Sequence, residues 1–492
     1  MQLLDLITIF IFALGIVIMG LSFSGKGRNM KSFFAAGGAV PWAMSGLSLF
    51  MGFFSAGTFV VWGSIAYSLG WIAISIQWTM AIAGFVVGFF IAPRWHKTSA
   101  LTVAEYITRR LGVNTQKTYT YLFLFISLFT TGSFLYPVAK IVEVSTGMPL
   151  DLCILLLGGF CIVYVAAGGL WAVVSTDVLQ FIILTAAVLI VVPLSFGRVG
   201  GVVNFIESIP ATYFNLVNGE YTIGFIIAFG VYNAIFLGGN WAYVQRYASV
   251  NSQSSARKVG FLFGGLYVVS AVLWMLPPMI YRIVNPSLST IDAEGAYLMM
   301  CKEVLPAGLL GLMLSGMVFA TASSLNATLN ISSGVVTNDI FKRLFPQSSD
   351  KTLMRVARIS TIIFGLLAII VALLIPLMGG IVNVVISVAA LTGVPLYLPI
   401  IWTLFSKRQT EYSVITTTLV SLGANAFFKF ITPLWGFGFN RAEEMIVGVA
   451  FPVFCLIAFE LYYKLNHKIS HRYVEYQEWE KENNCIKETE RK

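Results

Sequence analysis

Residues 320–330 read ATASSLNATLN, between GLLGLMLSGMVF at 308–319 and ISSGVV at 331–336. The flanks are apolar enough to cross a bilayer. The segment between them carries Thr321, Ser323, Ser324, Asn326, Thr328 and Asn330. A hydroxyl inside a helix can bond back to the carbonyl four residues earlier, which accounts for any one of them. Polar groups spread all round one helix exceed that explanation. Ala320, Ser323 and Ser324 stand at i, i+3 and i+4 and share a face. Hard cations prefer oxygen ligands, neutral carbonyls included. Two serine hydroxyls and the Ala320 carbonyl, joined by two carbonyls from a break in another helix, would hold sodium weakly enough to release it.

The rest of the chain puts that segment in a membrane. Its 492 residues are 58% hydrophobic and 11% charged, with 39 Phe, against about 25% charged in a soluble domain. Apolar runs fall at 5–23, 43–66, 71–93, 119–145, 150–168, 173–196, 222–245, 259–281, 307–336, 356–378, 380–404, 412–431 and 443–464. They predict an all-α polytopic membrane protein with about 13 transmembrane helices. The first run lacks a basic leader and a cleavage site and is expected to be retained, with Asp5 near the membrane surface. With the N-terminus outside, 25 of the 31 basic residues fall on the cytoplasmic side, Arg246 among them. Six fall outside: Lys140, Arg198, Arg282, Lys302, Lys429 and Arg441. The bias predicts N-out and C-in, and it accounts for the net charge of +9 without a nucleic-acid partner. The expected location is the plasma (inner) membrane. Lipid-facing and partner-facing apolar surfaces look alike, so composition assigns no oligomeric state. The five cysteines form no CxxC pair, and neither a disulfide framework nor a zinc site is suggested.

Three stretches outside the runs have a pattern of their own. Residues 98–112 predict a short cytoplasmic helix, capped by Thr98 or Ser99 and ending at Gly112. In the outer loop 283–305, Asp292 and Glu294 start a surface helix. The tail from His471 is dense in charge and predicts an interfacial helix that frays.

Two runs are interrupted. The second carries Gly at 46, 52, 57 and 63; the seventh carries Gly230, Gly238 and Gly239 beside Asn233 and Asn240. Glycine in a span serves either tight packing or an unwound turn whose carbonyls line a cavity. The interrupted runs lie five apart, so two five-helix units of opposite orientation fit, at 43–200 and 201–406. A first span with its loop at 1–42, accessory spans at 407–466 and a charged tail at 467–492 complete the division. Asp177, in VVSTDVLQFI, is the exceptional carboxylate of the apolar runs. It is either a solvated near-interface group or part of an ion path or helix junction.

Four stretches resemble the sodium:solute symporters. They are SFFAAGGAVPWAMSGLSLFMGFFSAGTF at 32–59, AAGGLWAVVSTDVLQ at 166–180, NWAYVQRY at 240–247 with RK at 257–258, and SGMVFATASSLNATLNISSGVVTNDIFKR at 315–343. The resemblance covers about residues 1–465. It implies a LeuT-type 5+5 inverted repeat and a sodium ion (Na+) held by the carbonyls of Met51, Phe54 and Ala320 and the hydroxyls of Ser323 and Ser324. Some members hold a second sodium with an Asp like Asp177 and two further serines. Here those serine positions are Asn326 and Ala327; an amide oxygen could replace one hydroxyl, and one ion is favoured. Resemblance to the sugar carriers points to Thr58, Gln77, Asn233, Phe236 and Tyr267 as facing the solute, with Trp62 or Tyr67 stacking or gating. Sugar members place a carboxylate and a Lys at the positions of Gln77 and Tyr267. Sialic acid carriers use an Arg on the fourth span, where this chain has Ser127, Thr130, Thr131 and Ser133. Lys140 and Glu143 there predict an ion pair.

The function implied is sodium-coupled symport of a small polar organic solute into the cell by alternating access, with no enzymatic activity. The alternatives are a transporter-like membrane sensor, which a kinase or receiver domain would normally follow, and a sodium-permeable channel, which broken helices suit less well than alternating closure.

Overall fold

The computed structural model describes residues 2–24, 40–100, 102–164 and 170–489. The chain is a bundle of helices: α1 (Leu3–Ser24), a broken α2 (Trp42–Met51 and Gly63–Leu69), α3 (Trp71–Lys97), α4 (Val113–Thr146), α5 (Leu150–Tyr164) and α6 (Leu170–Arg198). A bent α7 (Ile223–Gly239 and Trp241–Ala248), α8 (Gln253–Val284), α9 (Leu309–Gly334), α10 (Asp350–Leu374), α11 (Ile381–Thr403), α12 (Glu411–Trp435) and α13 (Arg441–Leu465) follow. Among the described residues eight helices are long and apolar enough to cross a bilayer, or nine if the bent α7 counts as one. Of the runs expected from the sequence, the second falls short of that length. For α2 the reason is the break itself, which leaves Trp42–Met51 and Thr58–Leu69 as two short apolar pieces.

Glycines bring α3 and α8 into backbone contact. A Cβ on Gly84 would sit 2.7 Å from the Gly264 nitrogen, and one on Gly260 would sit 2.6 Å from Gly88 Cα. Gly84 and Gly88 face Gly260 and Gly264, two GxxxG pairs whose missing side chains let the helices approach as closely as lipid-embedded helices can.

Caps join distant segments. Asp5 is 2% exposed. Its Oδ1 accepts from the backbone N–H groups of Gly308 at 2.7 Å and Gly311 at 3.1 Å, which fixes α1 on the start of α9 where unpaired donors need an anion. The outer loop holds a short turn, Asp292–Gly295, and a helix, Ala296–Val304. Asp292 accepts from the Ser289 hydroxyl at 2.6 Å. Glu294 departs from the surface reading: it is 3% exposed and accepts from Tyr136 Oη at 2.8 Å and from the Ile381 N–H at 2.9 Å, at the start of α11.

On the other side the inner helix (Val103–Leu111) starts one turn later than the sequence predicts. Thr102 Oγ1 accepts from Glu105 N at 3.1 Å, while the Thr98 hydroxyl closes the end of α3 by donating to Trp95 O at 2.7 Å. Gly112 ends it with φ +92, a conformation only glycine adopts cheaply. The tail helix (His471–Thr489) docks on this inner helix. The Arg109 guanidinium stands 3.8 Å over the Trp479 ring and Arg110 stands 5.0 Å over Tyr473. Tyr476 is buried edge-on to Tyr106. Arg110, 1% exposed, also donates to Ser406 O at 3.0 Å. The ion pair expected on α4 is present, Lys140 Nζ to Glu143 Oε2 at 2.8 Å.

Candidate ion and solute site

The break in α2 spans Gly52 to Gly57. The Gly52 N–H closes the last turn on Ser48 and Leu49. Beyond it the Ser55 N–H turns to Phe53 O at 3.0 Å and the Thr58 N–H to Ser55 O at 3.0 Å, while the Thr58 hydroxyl donates to Phe53 O. Among the described residues no donor reaches the carbonyls of Met51 and Phe54. Unwound backbone at this depth is tolerated where a cavity or an ion meets it. The Phe54 ring is committed elsewhere, stacked on Trp274 at 4.4 Å.

The Ala56 N–H donates to Thr321 Oγ1 on α9 at 2.8 Å, and both residues are fully buried. That contact sets the break beside the segment 320–330. Ala320 is buried, and its carbonyl accepts a long 3.4 Å bond from the Ser324 hydroxyl. Ser324 and Met51 line one cavity. Ser323 and Asn326 belong to the α9 backbone, and their side chains lie outside the described residues.

Further out, Thr58, Gln77, Asn233, Phe236 and Tyr267 all line a single central cavity of about 190 Å³. Its walls are aromatic, with Phe53, Trp62, Phe229 and Tyr243 among them, and no charged residue lines it among those described. Gln77 is 2% exposed and its Nε2 has no partner among the described residues. Asn233 Nδ2 donates to Thr79 Oγ1 at 2.8 Å, so its amide oxygen is the group left for a ligand. Phe53 lies 4.8 Å from the Tyr243 ring. Tyr243, with Gly52, Thr130 and Phe236, lines both the central cavity and an inner one that Met51 and Ser324 also line. The Tyr67 hydroxyl is engaged away from the cavity, donating to Asn285 O at 2.7 Å in the outer loop.

The inner cavity also holds Asp177 and Arg246. At 4% exposure Asp177 is not the solvated interface group of one sequence reading. The Ser48 hydroxyl donates to Asp177 Oδ2 at 2.6 Å and accepts from Arg246 Nε at 3.2 Å, bridging acid and base. Arg246, expected in a cytoplasmic loop, is 8% exposed.

The model of the sodium:solute symporter family matches residues 33–420. The chain belongs to that family. This symporter is 28% identical over 472 residues to the sodium/glucose cotransporter of Vibrio parahaemolyticus, an alignment covering 87% of this chain and 86% of that one. It is 27% identical over 469 residues to sodium/myo-inositol cotransporter 2 of Sus scrofa, covering 85% and 68%. Its fold matches that of a Na+-coupled sialic acid symporter solved in a substrate-bound outward-open state, with TM-score 0.77 and 21% identity over 94% of this chain and 98% of that one. It also matches Mhp1, a nucleobase-cation-symport-1 family transporter, with TM-score 0.55 and 15% identity over 92% and 99%. The architecture is the LeuT-type bundle. As a family member the protein is a sodium-coupled secondary transporter of a small polar organic solute, a multi-pass protein of the plasma membrane and not an enzyme.

Sequence reading of the symporter missed the roles of four side chains. Thr321 stood in the quoted segment, but its bond to Ala56 joins residues 265 apart in the chain. Ser48 and Arg246 each sat in a stretch quoted for the resemblance, with nothing to say that they meet at Asp177. Trp95 was hidden at the inner end of α3. Its indole Nε1 donates to the Gly238 carbonyl at 2.7 Å, where α7 bends by 60°. Asn240 restarts that helix by accepting from the Ala242 N–H at 3.0 Å.

Proposed function

We propose that this symporter carries one sodium ion with a neutral, ring-sized polar solute, by alternating access about the broken α2 and α7. The observation that carries the reading is the meeting of Met51 and Ser324 in one cavity, with the Met51 carbonyl reached by no backbone donor across the break among the described residues. Sodium is held there by the carbonyls of Met51, Phe54 and Ala320 and the hydroxyls of Ser323 and Ser324. One ion is preferred because Asp177 is already engaged by Ser48, with Arg246 on the other side of that hydroxyl. Asp177 then belongs to the inner path or junction rather than to a second site with Asn326.

The solute occupies the central cavity against Thr58, Gln77, Asn233, Phe236 and Tyr267. An anion entering a pocket lined by no charged residue among those described would lose hydration without a fixed counter-charge. Aromatic faces with one free amide donor and one free amide oxygen suit a ring with hydroxyls. Glucose and myo-inositol, in the names of two relatives, are uncharged polyols; sialic acid, in the name of a structural neighbour, is not. Sodium binding from outside steadies the solute-competent form, and linkage makes the solute strengthen sodium binding by the same factor. An inside-negative potential contributes about 2.3 kcal/mol per charge per 100 mV to inward movement.

The topology that goes with this mechanism has thirteen spans, N-out and C-in, with inverted repeats at 43–200 and 201–406. Residues 1–42, the accessory spans at 407–466 and the tail at 467–492 lie outside the repeats. It is supported by the charge bias, by breaks in α2 and α7, and by the glycine pairs of α3 and α8, the second helix of each repeat. The test is a thermal-shift and uptake screen of purified protein against neutral sugars and polyols, amino acids and carboxylates, in sodium and in potassium. A neutral ring compound should stabilise and be accumulated in sodium only. A carboxylate preferred over every neutral solute, or accumulation that is equal in potassium, overturns it.

A further inference from the structure

We propose that Thr321 is a positioning residue for sodium: its hydroxyl fixes the break of α2 against α9 so that the ion's oxygen ligands converge. The inference rests on the sodium site proposed above. It starts from the Ala56 N–H, a donor freed by the break and fully buried. A buried backbone donor must be paired. The partner is Thr321 Oγ1 at 2.8 Å.

The hydroxyl is used at both ends. It donates to Met317 O at 2.9 Å, the ordinary behaviour of a threonine in a helix. It also accepts from the backbone of another helix, which no helix-internal need explains. With its hydrogen donated to Met317 and its oxygen accepting from Ala56, the hydroxyl is held from both helices. The place of the bond gives it leverage. Ala56 is two residues past Phe54, and Thr321 directly follows Ala320. One contact therefore sets the register between both segments that carry proposed ligands. A cation cage of neutral oxygens gains its energy from simultaneous short contacts, so a small slip of one wall weakens all of them.

The test titrates sodium alone on purified protein, reading the melting temperature in NaCl–KCl mixtures of constant total salt. Thr321→Val keeps the shape and removes both hydrogen bonds; the half-saturating sodium concentration should rise about tenfold or more, equivalent to about 1.4 kcal/mol. Thr321→Ser keeps the hydroxyl and should return it to within about twofold of the parent. Thr321→Ala replaces valine if the branched side chain fails to pack. A merely structural threonine would lower the melting temperature in potassium and leave the sodium midpoint in place. Ser324→Ala separates the two readings. If it shifts the midpoint and Thr321→Val does not, the positioning role is wrong and the site stands. A serine variant as weak as valine also overturns the role, since packing would then be the cause. If neither Ser324→Ala nor Thr321→Val moves the midpoint, the sodium site falls, and the positioning role with it.

Discussion

The Trp95 indole donates a 2.7 Å hydrogen bond to the carbonyl of Gly238, so the bend of α7 is held from α3 just as the break of α2 is held from α9. Trp95 is 2% exposed, and water cannot substitute for it. Trp95→Phe keeps most of the packing and leaves the carbonyl unpaired, which should cost about 1–3 kcal/mol. Sodium-driven uptake should slow together with a lower melting temperature. An unchanged melting temperature would show that the bend holds itself.

Removing the base beside Asp177 should do more damage than removing both charges. Arg246→Met leaves a carboxylate in a buried cavity with one partner lost, a change of about 3–5 kcal/mol. Asp177→Asn in the same chain should recover a large part of that stability. A double-mutant cycle read by thermal unfolding measures the coupling. Additive losses would mean that Ser48 does not transmit any interaction between the two.

The docked tail makes a prediction of its own. Tyr476→Ala with Trp479→Ala removes an aromatic contact to Tyr106 and the ring beneath Arg109. Such contacts are each worth about 0.5–1.5 kcal/mol. The tail should then be cleaved faster by trypsin at Arg472 while the bundle stays intact. Equal cleavage rates in parent and variant would mean that these rings do not hold it.

Burial raises the Glu294 carboxyl above the ordinary glutamate range, against hydrogen bonds from Ile381 and Tyr136 and the nearby Lys140. A carboxyl with a raised native pKa binds its proton more tightly folded than unfolded. Its contribution to stability is therefore present at low pH and lost as pH rises through the raised value. Glu294→Gln has no such titration and can still accept from the Ile381 N–H. Its melting temperature relative to the parent should increase from about pH 5 to pH 8. A constant difference would show that Glu294 is not a titrating group of the outer loop.

Much of the site could be read before any coordinates. Hydroxyls at 320–330 marked α9 because hydrocarbon has no use for them, and glycines marked α2 and α7 because a bilayer exposes the cost of a weak helix. The five positions that the resemblance expects to face a solute line one cavity. The inner helix was misplaced at its start because Thr98, Ser99 and Thr102 are equally good caps in sequence. Only the path of the chain shows which of them has a helix ahead of it.

Local chemistry thus determined that the chain lives in a bilayer, which two runs are candidates for a break and which one carries oxygen. Those properties depend on neighbours within a turn or two, and the sequence contains them directly. Tertiary structure alone decided that Thr321 meets Ala56, that Ser48 joins Asp177 to Arg246, that Asp5 and Glu294 are buried caps, and that the tail covers the inner helix. Each of these pairings needs a particular helix face turned to a particular partner. Apolar surface is attracted equally to lipid and to protein, so hydropathy gives no direction, and only the packed bundle selects one.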